Sequence, residues 1–132
     1  MAELEIGLKG EKEMIVQPED LASFGGNEGV EVLSTPRVIL LMEQAARDII
    51  KGAMPEGKIT VGTLIHIKHF AATPPGAKVR AEAYLRKIDG RRLVFDVAAY
   101  DEFEKISEGV YEGFIVSMDK FLEKVNRKKA KG

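Results

Sequence analysis

The chain reads as an α+β domain, with one long, strongly apolar helix packed on a curved antiparallel sheet of about five strands. Two patterns carry that reading. A single helical stripe runs through STPRVILLMEQAARDIIKGAMPEGK (34–58), and the residues after it alternate with a period of two through several short segments separated by turn formers. A length of 132 residues suits one compact domain spanning residues 1–132.

The elements follow in order. EKEMIVQ (11–17) is the candidate first strand. Residues 18–34, rich in Gly, Pro, Asp and Asn, form an irregular excursion with room for one short helix. The main helix can be capped by Ser34 or Thr35; Pro36 suits its first turn, and Gly52 and Pro55 end it. Val38, Leu41, Met42, Ala45 and Ile49 share one side, widened by Ile39, Ala46 and Ile50, so the helix should be largely wrapped by other structure. KITVGTLIHIKHF (58–70) is β-branched and strand-like. KVRAEAYLRKI (78–88) alternates with Val79, Ala81, Ala83 and Leu85 inward. Asp89-Gly90 predicts a type I′ hairpin into RRLVFDVAAY (91–100), where Leu93, Phe95, Val97 and Ala99 face one way. A turn at 101–105 returns the chain through 106–118, whose Gly109 and Gly113 predict a bulge or a close backbone approach. Residues 119–130 read as a terminal helix capped by Asp119.

Composition narrows the function. Twenty basic and twenty-one acidic residues leave a net charge of −1, which gives no drive toward nucleic acid or an acidic membrane. With no cysteine, disulfides, thiolate metal sites and a cysteine nucleophile are excluded. No apolar run is long enough to span a membrane and the N-terminus is too charged for a signal peptide, so a cytoplasmic location is expected.

The chemistry-bearing candidates are few. The two histidines, His66 and His69, have opposite parity in one strand pattern. Strict alternation puts His69 in a row with Ile59, Val61, Thr63, Ile65 and Ile67 against the helix, and His66 on the other face with Lys68. A shared metal site is therefore not expected. For His69 the simplest account is a core histidine satisfied by a backbone carbonyl. Glu43, at the edge of the apolar arc, reads first as an i,i+4 ion pair with Arg47, and second as a partly desolvated carboxylate suited to general-base or nucleophilic work. Thr35 reads first as an N-cap; if Ser34 takes that role, the Thr35 hydroxyl is free. Free N–H groups at Arg37 and Val38 could stabilise an oxyanion, and Gly62-Thr63 is a place where a ligand could approach a strand backbone.

STPRVILLMEQAA, GTLIHIKHFAATPPG and LRKIDGRRLVFDVAAYD together resemble the fluoroacetyl-CoA thioesterase-like family of hot-dog proteins, over a stretch from about Val32 to DKFLEKV. The resemblance implies a hot-dog fold, a homodimer with dimers of dimers left open, and hydrolysis of an acyl-CoA thioester. It implies Thr35, Glu43 and His69 as the catalytic constellation, with Gly62 and Thr63 beside the acyl group. Neither a metal nor a cofactor is implied, coenzyme A being part of the substrate. On one regular helix Thr35 and Glu43 stand about 12 Å apart along the axis, so a constellation drawn from two subunits is expected. The segment FGGNEGVEVL (24–33) supplies only Phe24 as an aromatic and carries no match to a gate for fluoroacetate, so a short acyl group is the expected substrate. Arg91, Arg92 and the Lys-rich tail read as solvated charges rather than a phosphate site. The alternatives are a non-catalytic hot-dog dimer binding acyl-CoA or another small ligand, an enoyl-CoA hydratase, and a small-lipid carrier.

Overall fold

The computed structural model describes residues 3–131; Gly132, the end of the basic tail, lies outside them. The elements are β1 (Lys9–Ile15), α1 (Thr35–Ile50), β2 (Lys58–His69), β3 (Lys78–Asp89), β4 (Arg92–Tyr100), β5 (Lys105–Ser117) and α2 (Met118–Lys131). All strands join one antiparallel sheet in the order β1-β3-β4-β5-β2.

Helix α1 forms where its stripe is apolar and begins where Ser34 accepts the Arg37 N–H at 3.2 Å. Pro36 occupies the first turn, where a missing N–H removes no helical bond. Val38, Leu41, Met42, Ala45, Ala46, Ile49 and Ile50 are buried on the concave face of the sheet. They meet the inward rows of β3 (Val79, Ala81, Ala83, Leu85) and β4 (Leu93, Phe95, Val97, Ala99), the faces that alternation predicts. The helix lies almost on the β1 backbone: a Cβ on Gly10 would come within 2.1 Å of the Ala45 carbonyl oxygen. Lys12 of β1 and Thr60 of β2 line one cleft with the outer face of α1, so the sheet curls until its two edges flank the helix.

Three local expectations are corrected. The hairpin pairs Asp89 with Arg92, so its two loop residues are Gly90 and Arg91. Only Gly90 has positive φ, +60°, which is the type II′ pattern rather than type I′. Helix α2 starts at Met118, so Asp119 sits inside its first turn instead of capping it. No helix among the described residues is long and apolar enough to cross a membrane.

The third correction concerns β2. Gly62 pairs with Gly113 and Leu64 with Glu112, leaving Thr63 as an extra residue in a bulge. Partners across an antiparallel pair share a face. Ile65, Ile67 and His69 oppose Tyr111, Gly109 and Ser107, which in turn oppose Phe95, Val97 and Ala99, so these three residues of β2 face α1 as alternation predicts. Before the bulge, Thr60 and Gly62 face the helix, and Ile59 and Val61 turn outward. The single inward row from Ile59 to His69 is broken at Thr63 because one inserted residue reverses the parity.

Candidate active site

The groove between α1 and β2 holds two clefts. At the start of the helix, the 18–34 excursion folds back over the end of β2. It opens with a single helical turn at Pro18–Asp20 and closes on itself through a bridge between Leu21 and Leu33. Asp20 fastens it to α1: its backbone carbonyl accepts the Ser34 N–H at 2.9 Å, and its carboxylate accepts Arg37 Nε at 3.1 Å. Because Ser34 caps the helix, the Thr35 hydroxyl is left free for other work. It lies 2.7 Å from His69 Nδ1.

His69 is held there by the end of β2, where the Ser107 hydroxyl donates to the Lys68 carbonyl at 2.8 Å and the Phe70 N–H to the Ile106 carbonyl at 2.9 Å. A threonine hydroxyl thus takes Nδ1, in addition to the backbone of Ala71 near the ring. Nε2 is buried and has no hydrogen-bond partner among the described residues. Burial pushes the imidazole below its ordinary pKa of 6.5, partly offset by the Ala71 backbone, so the ring is neutral at pH 7. Ala22, Asn27, Val30 and Val32 of the excursion complete a cleft of about 330 Å³ over this pair. Phe70, Ala71 and Ala72 line it as well, so its apolar wall includes one aromatic ring; Phe24 is exposed and absent from it.

Glu43 lies elsewhere, in a second cleft of about 300 Å³ lined with Gly62, Thr63, Leu64, Ile65 and Tyr111. The expected ion pair is present, with Arg47 Nη2 2.8 Å from Glu43 Oε2. Glu43 nevertheless keeps a face on the cleft beside the bulge. The Thr63 hydroxyl donates to the Glu112 carbonyl at 3.3 Å, and the bulged residue itself lines the cleft. Tyr111 is a site residue that sequence reasoning passed over; its signal was an inward aromatic between two glycines, in GVYEG. The structure therefore pairs Thr35 with His69, and Glu43 with Gly62 and Thr63, but does not bring the two groups together within one chain. His66, paired with Val110, faces away from both.

Beyond Arg47 the groove widens into a cleft of about 470 Å³ whose rim carries Lys12, Lys51 and Lys58 over an apolar floor of Ile50, Met54 and Ile59. Arg91 and Arg92 serve elsewhere, stacking on Phe114 and pairing with Glu112.

A helix wrapped by a five-stranded antiparallel sheet, with a hydroxyl–imidazole pair and a carboxylate along one groove, defines the class: a hot-dog thioesterase. A hot-dog-like protein from Thermanaerovibrio acidaminovorans shares the fold (TM-score 0.86, 24% identity, 93% of this chain and 91% of that one). The family model of the fluoroacetyl-CoA-specific thioesterase FlK matches residues 16–119, and the chain belongs to that family. It is 37% identical over 102 residues to the fluoroacetyl-CoA thioesterase of Streptantibioticus cattleyicolor, covering 77% of this chain and 73% of that protein. The solved structure of the fluoroacetyl-CoA thioesterase FlK superposes with a TM-score of 0.90 at 31% identity, over 96% of this chain and 98% of that one. A thioesterase superfamily member from Thermus thermophilus gives 0.91 at 30% identity, over 99% and 97%.

Proposed function

We propose that the protein hydrolyses a short acyl-CoA thioester at a site completed only in a homodimer, with Thr35 and His69 from one subunit and Glu43, Gly62 and Thr63 from the other. The observation that carries this reading is the separation of the two groups within one chain. From Thr35 to Glu43 the helix rises about 12 Å, and from Gly62 to His69 the strand runs about 20 Å. Both groups border β2, an edge strand with exposed Leu64 and Ile65. The other edge, β1, is laced with Lys9, Glu11, Lys12 and Glu13, a pattern that discourages strand addition. Antiparallel pairing of two β2 edges would set the His69 end of one strand beside the Gly62 region of the other.

In this mechanism Glu43 orients a water against the thioester carbonyl carbon. The exposed Thr35 hydroxyl donates to Nδ1 of the neutral His69 ring, and the proton of the attacking water passes through it to the imidazole. The carbonyl electrons move to oxygen, where backbone N–H groups at the Gly62–Thr63 bulge stabilise the charge. Collapse breaks the C–S bond, and the proton held on His69 returns to the departing thiolate. The cleft above Thr35, walled by Ala22, Val30, Val32 and Phe70, suits a short apolar acyl chain, and the cleft bearing Lys12, Lys51 and Lys58 suits the phosphates of coenzyme A. No cofactor takes part.

The test is thiol release from a panel of acyl-CoAs, acetyl through long-chain, by wild type and by His69→Ala. Saturable turnover that is greatest for short chains and falls about 1,000-fold in the variant is expected. Binding without turnover across the panel would instead favour the non-catalytic ligand-binding dimer.

A further inference from the structure

Tyr111 has no role in that mechanism, yet the strand pair is built around its hydroxyl. Its ring is buried, 5.8 Å from the Phe95 centroid, while the far end of the side chain reaches the Glu43 cleft. Gly62 and Gly113 are register partners, and the hydroxyl lies against both. A Cβ on Gly62 would stand 2.9 Å from Tyr111 Oη, and one on Gly113 3.9 Å from it. Any side chain at 62 would therefore displace the phenol, so the glycine of the bulge keeps a slot for an O–H group rather than merely permitting a backbone kink. Burial raises the phenol's pKa, and the nearby Glu43 charge raises it further, so the group stays protonated throughout the neutral range. Among the described residues no protein group accepts its proton.

Resting on the thioesterase reading above, we infer that Tyr111 is a catalytic residue that donates a hydrogen bond to the thioester carbonyl oxygen, beside the backbone N–H groups of the Gly62–Thr63 bulge. A buried neutral phenol is suited to this work. It offers one directional donor, brings no charge next to Glu43, and is fixed by ring packing before substrate arrives. The bond strengthens as the carbonyl oxygen gains charge, so its effect falls on the chemical step more than on binding.

Tyr111→Phe tests this with the ring and its packing kept. Its kcat on the best acyl-CoA of the panel, at the pH plateau, should drop on the order of 100-fold, with KM within about threefold of wild type and an unchanged thermal midpoint. A plateau kcat within twofold of wild type would overturn the assignment. Glu43→Gln in the same assay separates the two claims. If it is inactive while Tyr111→Phe is fully active, only the Tyr111 inference falls; if wild type turns over no thioester, both fall together.

Discussion

The two clefts along α1 and β2 differ in the chemistry they hold. The one at the start of α1 contains the Thr35 hydroxyl on the His69 imidazole, beneath Ala22, Val30, Val32 and Phe70. The one halfway along α1 contains a carboxylate, an irregular strand backbone and a phenol, but no imidazole. Each is rigidly made, the first by the Ser34 cap and the Asp20–Arg37 contact, the second by the bulge. Their separation within one chain is what the proposed two-subunit site rests on.

The largest effects should come from breaking one half at a time. His69→Ala and Glu43→Gln should each lower kcat about 1,000-fold. Unfolding the two variants together and refolding the mixture then sharpens the comparison. If the halves combine across subunits, roughly a quarter of wild-type activity should return, because half the dimers are mixed and each carries one intact site. A mixture as inactive as its components would place both halves of each site in one chain.

A smaller effect separates neighbours at the helix start. Thr35→Ala should cost kcat about 100-fold with little change in stability, while Thr35→Ser should keep most activity. Ser34→Ala should lower stability by about 1 kcal/mol, read from chemical denaturation, because it removes the cap.

The smallest effect is a shift in titration. With His66→Gln leaving one imidazole signal, NMR should report a His69 pKa below 6.5. The folded ring binds its proton more weakly than the unfolded chain does, so its contribution to stability is lost as pH falls through 6.5 toward the folded value. An acid limb of kcat/KM owed to His69 should lie below 6.5 for the same reason. A His69 signal titrating at or above 6.5 would mean that the ring is better hydrated than its surroundings indicate.

Much of this was legible in the residues. The stripe from Val38 to Ile50 and the alternating rows of β3 and β4 mark themselves because each repeats one geometric period several times. His69 was assigned inward correctly, since Ile65 and Ile67 lie in the same unbroken run after the bulge. Ile59 and Val61 were misassigned because a bulge leaves composition unchanged and shifts only the pairing. The Thr35–His69 contact joins residues 34 positions apart and depends on which of two adjacent hydroxyls caps the helix, a choice set by the Asp20 carbonyl holding Ser34. Tyr111 was hidden for another reason: an inward tyrosine on a strand is usually core, and only the two facing glycines show that its oxygen has been given room.

The extra residue at Thr63 makes β2 a strand whose length can shrink by one at this point without turning its later side chains over. Replacing Thr63 by another small residue leaves every later side chain on its present face. Deleting it would join Gly62 directly to Leu64, and the pairs Gly62–Gly113 and Leu64–Glu112 would then follow one another in a regular ladder with His69 still facing the helix. A residue inserted between Leu64 and His69 would instead carry His69 to the outside of the sheet unless a second bulge absorbed it, so gain of a residue in this stretch should cost far more than its loss at Thr63.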